Sequence, residues 1–293
     1  MYKQHMTGIL FSLIWSSAFI AGKVAMHDLD AFGVLFIRFV FCSILLAPFY
    51  RPKASSLSTS QQSIAITGLG LGVLNNVIYL GMTFYALNYI SPEWVIIIVS
   101  CSPFITSGLS TLMGKEELSL RKIAGFIIGF IGVLIMTGVT GLGKEAVWGL
   151  LLAFGGTFSF SLGTVIFRDR GQEIPLQTSN FWMSLAAVPL FGVWIGASGS
   201  SIPPIHFAAG AAIGWLVVVT LLGMALWLYL IRRYGAVTAT GYHLLNPVSG
   251  LVLAFLVLGN TPHWYSIFGA ITTCAGLYIA SPHDKDTARE SEG

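Results

Sequence analysis

The chain repeats itself. Displaced by 144 positions, Gly70 falls on Gly214, Tyr85 on Tyr229, Pro103 on Pro247, Gly125 on Gly269 and Gly132 on Gly276. All five coincidences share one register and lie in apolar runs, the mark of a duplicated membrane unit. A unit that crosses the bilayer an odd number of times enters it the opposite way in its second copy. Inverted repeats of that kind suit alternating access.

Composition says which solvent the outer surface meets. Hydrophobic residues make up 55% of the 293 and charged residues only 9%, against about 25% charged in an average soluble domain. Too little charge remains to coat a water-soluble surface, whereas a chain solvated by lipid needs little. The net charge of +3 is scattered over short loops and forms no basic stripe, so nucleic acid is not an expected partner. Cys42, Cys101 and Cys274 are widely spaced within apolar runs, which gives neither a disulfide framework nor a metal site, and no cofactor is expected.

A span needs about 20 apolar residues. Breaks at charge, proline and serine clusters give ten spans, near 6–26, 32–50, 64–87, 92–113, 121–140, 147–167, 177–197, 207–231, 236–258 and 264–281. The first run is long enough to span and is followed by others, so it reads as a retained helix, not a cleaved leader. Because the loops are short, their Lys and Arg residues set orientation. Lys3, Arg51, Lys53, Lys115, Arg121, Lys122, Arg168, Arg170, Arg232, Arg233, Lys285 and Arg289 fall on the amino-terminal side, 12 of the 15 basic residues. Lys144 alone lies opposite, with Lys23 and Arg38 within or beside the first two spans. The expected fold is therefore all-α and integral to the membrane, ten transmembrane helices as two inverted five-helix repeats. The expected location is a cell membrane, with both termini cytoplasmic. The repeats cover 1–140 and 145–282, and 283–293 is a polar cytoplasmic tail.

Inside the spans, proline and polar residues carry the functional signal. Pro103 and Pro247 fall mid-span at equivalent places, where each removes a helix hydrogen bond and predicts a kink or a locally opened backbone. Ser91-Pro92-Glu93 reads as a helix start, with Ser91 at the cap. His243, Asn246 and Pro247 share one helical face, and Asn75, Asn76 and Tyr79 form a second polar stripe of the same spacing. Trp15, Trp94, Trp182 and Trp227 are aromatic candidates for a cavity wall. The substrate-binding set predicted from the sequence is Trp15, Asn75, Asn76, Tyr79, Trp94, His243 and Asn246. No carboxylate reads as mid-membrane, and Lys23 and Arg38 are expected to snorkel or pair. Gly125, Gly129 and Gly132 predict close helix approach, with the fifth and tenth spans meeting either within one chain or across a homodimer.

Several of these segments together resemble the drug/metabolite transporter superfamily, specifically its EamA-type bacterial exporters. They are Trp15-Ser16-Ser17-Ala18-Phe19 with Lys23, then Arg38, then the block from Ala86 through Ser91, Pro103, Gly114-Lys115-Glu116-Glu117-Leu118 and Gly125 to Gly132. A second copy runs through Tyr234-Gly235-Ala236, Pro247, Gly259, Gly269 and Gly276. One departure is Asn260, where the family often carries an acid after the glycine ending span nine. The resemblance implies two inverted five-helix repeats around a central cavity and export of amino acids or related metabolites.

The expected activity is a secondary transporter or facilitator of small polar metabolites. A nucleotide-sugar or sugar-phosphate carrier would need basic residues converging mid-cavity, with only Lys23 and Arg38 as candidates. A membrane-embedded enzyme would need paired acid/base groups, where the interior offers only His243. No phosphate-binding loop ending in Gly-Lys-Ser/Thr occurs, so ATP is not the expected energy source.

Overall fold

The computed structural model describes residues 2–50, 59–114, 119–137, 146–198, 203–258 and 263–280. Arg51, Lys53, Ser58, residues 115–118, Lys144, Ser200, Gly259, Asn260 and the tail 283–293 lie outside the described residues, as does the side chain of Glu93.

The described chain is helical throughout and groups into ten rods. They are α1 (Tyr2–Ala25), α2 (Ala31–Leu46), α3 (Thr59–Gly72) with α4 (Leu80–Ala86), α5 (Pro92–Val99) with α6 (Ser102–Leu112), and α7 (Leu120–Thr137). Then come α8 (Ala146–Arg170), α9 (Leu176–Ser198), α10 (Phe207–Val218) with α11 (Met224–Tyr234), α12 (Ala236–Gly241) with α13 (Asn246–Leu258), and α14 (Trp264–Ala280). Seven of the rods are long and apolar enough to cross a membrane by length and composition. The other three rods are α7, the α12–α13 rod and α14, the last a shorter apolar helix of 17 residues. Ile44, Ile131, Trp148 and Phe268 are among many large apolar side chains left exposed, a surface that lipid solvates and water does not.

The sequence repeat reappears in the secondary structure. The α3–α4 and α10–α11 rods are each interrupted by a π-helical segment, Val73–Tyr79 and Val219–Gly223, whose last residues stand 144 positions apart. Leu80 and Met224, Pro92 and Ala236, Ser102 and Asn246, and Leu120 and Trp264 begin corresponding helices at the same offset of 144. Packing is exchanged between the copies: α1 lies on α10 and α13, while α8 lies on α4 and α6.

Both prolines sit where a helix restarts. The fourth rod breaks at Ser100 and Cys101, and Pro103 stands in the first turn of α6. In the ninth rod a 3₁₀ segment, Tyr242–Leu245, precedes α13, whose second residue is Pro247. First-turn amides have no intrahelical partner, so proline is tolerated there. The helices that lead into these breaks begin after Ser91 and after Gly235. Ser91 is extended but makes no side-chain capping bond, and Gly235 has φ +84°, a conformation that costs glycine little.

The glycine face on the fifth rod meets the tenth within the chain. A Cβ added to Gly125 would stand 2.5 Å from the Ala280 nitrogen, and one on Gly132 2.5 Å from the Thr273 nitrogen. Thr273 Oγ1 donates across the crossing to the Gly129 carbonyl at 3.3 Å. Small residues let the two backbones approach this closely.

Candidate functional site

Where α1, α8, α11 and the 3₁₀ segment converge, four aromatic rings surround an imidazole. Phe11, Trp15, Phe160 and Trp227 hold their centroids 5.3, 5.9, 5.2 and 5.0 Å from that of His243. Phe11 and Phe160 meet the imidazole edge-on, and Trp227 stacks on both of them. Every member is buried, so the centre is closed in this conformation.

A polar row fastens His243 to the first helix. Ser12 Oγ donates to Asn246 Oδ1 at 3.1 Å and lies 2.8 Å from Ser249 Oγ, while Ser16 Oγ donates to the Asn246 carbonyl at 2.9 Å. With Oδ1 taken by Ser12, the amide of Asn246 presents Nδ2 to His243 Nδ1, 2.9 Å away. The neutral imidazole accepts there and carries its hydrogen on Nε2, which lies among the rings with no partner among the described residues. The 3₁₀ break makes this geometry possible by turning His243 inward at the point where α13 begins.

The first π segment supplies the neighbouring wall. A π turn carries one extra residue and shifts side chains out of helical register, which places Asn75, Asn76 and Tyr79 all inward. The Tyr79 ring packs 4.6 Å from Phe160, which ties this wall to the cage. Asn75 Oδ1 and both amide atoms of Asn76 are buried without partners among the described residues. Unsatisfied groups of this kind cost roughly 1–3 kcal/mol each and persist where a ligand or water meets them.

Arg38 lies deeper in the chain than the sequence suggested. It neither snorkels nor forms an ion pair among the described residues: it is only 3% exposed midway along α2, and its Nε donates to Thr220 Oγ1 at 2.6 Å. Thr220 belongs to the second π segment and stands 144 positions after Asn76. Asn180 of α9 joins them, donating from Nδ2 to the Thr220 carbonyl at 3.1 Å. On insertion scales an arginine at a helix centre costs roughly 2.5–3.5 kcal/mol. Lys23, by contrast, is exposed and donates to the Leu87 carbonyl at 2.8 Å, covering a helix C-terminus.

Of the predicted site residues, Trp15, Tyr79, His243 and Asn246 meet at the centre, with Asn75 and Asn76 on the adjoining wall. Trp94 stands apart, half-buried against the seam of the two hydrophobic clusters and in no ring contact with the cage. Phe11, Ser12, Ser16, Phe160, Asn180 and Thr220 were missed. Ser12 and Ser16 are four apart on one face of the first span, and carrying Asn76 forward by 144 points to Thr220. The phenylalanines give no such signal.

An apolar cleft of about 200 Å³ lies elsewhere, lined by Phe32, Val77, Gly81, Tyr85, Leu190 and Trp194 among others. It holds none of the polar residues above. Its exposed rim, which includes Leu190 and Trp194, faces the lipid side. Among the described residues no three His, Cys, Asp or Glu side chains gather as a metal site would require.

A lipid-solvated helical bundle, built from a duplicated unit around a buried polar and aromatic centre, defines a multi-pass membrane protein of the solute-carrying kind. Residues 3–138 and 147–281 each match the EamA-like transporter family, and the chain belongs to that family. It is 25% identical over 292 residues to a probable amino-acid metabolite efflux pump of Salmonella typhimurium, covering 94% of each chain. It is 21% identical over 293 residues to a biotin transporter of Escherichia coli strain K12, covering 96% of this chain and 95% of that one. A solved crystal structure, 18% identical, superposes with a TM-score of 0.75 over 95% of this chain and 98% of that one, which shows a shared fold.

Proposed function

We propose that the protein is a secondary transporter or facilitator that moves small polar metabolites by alternating access, exporting amino acids or related compounds from the cytoplasm. The observation that carries this reading is the central cage. Unpartnered polar atoms of His243, Asn75 and Asn76 meet a wall of aromatic rings where the two copies' interrupted helices converge. Broken helices at matched positions put irregular backbone and polar groups at a substrate site while the rest of the bundle stays helical.

In this reading the two copies lie head to foot, since each contributes five rods, and both termini face the cytoplasm as the basic loops direct. The structure corresponds to a closed state, and the rings around His243 separate to admit solute from one face at a time. Trp15, Asn75, Asn76, Tyr79, His243 and Asn246 line the path. The amino-acid class rests on the efflux-pump relatives and on a site with both polar and aromatic character.

The test is an efflux screen. Cells with and without the chain are compared for released metabolites, and the account predicts excess release of amino acids or close relatives. No compound released in excess contradicts it. Cysteine labelling at Ser200 from outside, and at Ser58 only after permeabilisation, checks the orientation; the reverse pattern contradicts it.

A further inference from the structure

We propose that Arg38 is the anion-binding residue of the transport path and that the solutes carried bear a carboxylate. This rests on the transport reading above and deepens it by naming the group the site holds. A guanidinium keeps its proton in proteins, so Arg38 places a full positive charge in the bundle interior. An interior charge without a counter-charge persists where function requires it.

Among the described residues, the elements around Arg38 supply no counter-charge. None of α2, α9, α10 or the two π segments contains an acidic residue. The nearest acid along the helix is Asp30, the cap of α2, whose Oδ1 is engaged by the Gly33 amide at 2.6 Å. Eight residues of helix separate it from Arg38, about 12 Å. The Phe39 ring lies 5.5 Å from the guanidinium carbon and supplies a soft face, not an ion.

The donor geometry remains incomplete in the way a carboxylate completes. Thr220 occupies Nε alone, and Nη1 is buried with no partner among the described residues. Guanidinium groups match carboxylates through parallel N–H donors. Asn180, which holds the carbonyl of the same Thr220, keeps Oδ1 buried and without a partner among the described residues, an acceptor suited to an ammonium hydrogen. A cation and a free acceptor held around one threonine fit the head group of an amino acid.

The location supports a role in movement. Thr220 sits in the π segment that interrupts the eighth rod, so the guanidinium is anchored to a place where helical hydrogen bonding is already broken. A carboxylate arriving at Nη1 would neutralise the charge that burial disfavours, which links occupancy to closure of the bundle.

The experiment uses the full chain in proteoliposomes loaded with protein amino acids, amino-acid amides, short mono- and dicarboxylates and neutral polyols, with release measured against protein-free vesicles. The expected result is selective release of carboxylate-bearing solutes, lowered about tenfold or more in Arg38→Gln at equal protein content. Arg38→Lys, which keeps the charge but not the planar fork, raises the half-saturation concentration for carboxylates and decides the matter if the glutamine variant does not insert. Release of amides or polyols at the rate of carboxylates overturns the assignment while leaving transport in place. So does an unchanged half-saturation concentration in Arg38→Lys. Release of nothing above protein-free vesicles removes the transport reading and the assignment with it.

Discussion

Asn246 donates a hydrogen bond to His243 across three residues at a helix break, Nδ2 to Nδ1 at 2.9 Å, while its own Oδ1 accepts from Ser12 of the first helix. The Ser12 bond joins a polar residue of one copy to a polar residue of the other, and the His243 bond fixes which imidazole nitrogen points into the aromatic cage. Removing it frees the ring to turn and leaves buried groups unpaired, a loss of roughly 1–3 kcal/mol. Asn246→Ala and His243→Ala are each expected to lower transport about tenfold or more with the chain still inserted. Flux and membrane content measured together check this, and normal flux in both variants removes the pair from the site.

The crossing of α7 and α14 depends on the absence of side chains. A Cβ on Gly125 would stand 2.6 Å from the Gly276 carbonyl oxygen, and no flexible side chain is there to yield. Gly125→Val should therefore destabilise the bundle by roughly 1–3 kcal/mol through overpacking. Gly70 and Gly214, equivalent in the two copies, have nothing within 4 Å of an added Cβ. Alanine at either should be neutral or mildly stabilising, by up to about 1 kcal/mol, because mid-helix glycine is entropically unfavourable. Thermal unfolding in detergent of these three variants separates the two cases.

Outside the spans, Asp28 joins the loop after α1 to the start of α10. The His206 backbone amide donates to Asp28 Oδ2 at 2.7 Å, and the His206 ring stands 3.1 Å from both carboxylate oxygens. The His206 backbone bond, followed by the His27 ring, holds the Asp28 carboxyl below its ordinary value of 3.8. A depressed carboxyl stabilises the folded state fully above the unfolded value and loses that contribution as pH falls through the folded one. The carboxylate's contribution should therefore be lost only as pH falls below the ordinary carboxylate range. Thermal stability of the wild type compared with Asp28→Asn across that range checks the sign: the difference should shrink on the acid side, and a difference that grows there contradicts it.

Much of this architecture was legible in the sequence because its cause is repetitive. The offset of 144 that pairs Pro103 with Pro247 also pairs the starts of α6 and α13 and the ends of the two π segments. Polar residues in an apolar run are few, so Asn75, Asn76, Tyr79, His243 and Asn246 stood out, and all are buried. What periodicity cannot give is which face of one helix meets which face of another. Trp94 looked like its fellow tryptophans and lies away from the cage, whereas Phe11 and Phe160 are ordinary membrane phenylalanines until packing brings them onto His243. Arg38 carries the same lesson. A charged residue in a span near the amino terminus reads as one that reaches for the interface, and only its contact with Thr220, 182 residues away in sequence, shows that it points inward.

The central claim is that the closed cage around His243 opens to each face in turn. Phe160 is fully buried against Trp15, Tyr79, Trp227 and His243, and so reports on that opening. In a chain whose Cys42, Cys101 and Cys274 are replaced, Phe160→Cys is labelled with a membrane-impermeant maleimide in right-side-out and in inverted vesicles. The account predicts labelling from both faces, slowed by transported solute. A cysteine that reacts from neither face, or from one face only under every condition, contradicts it.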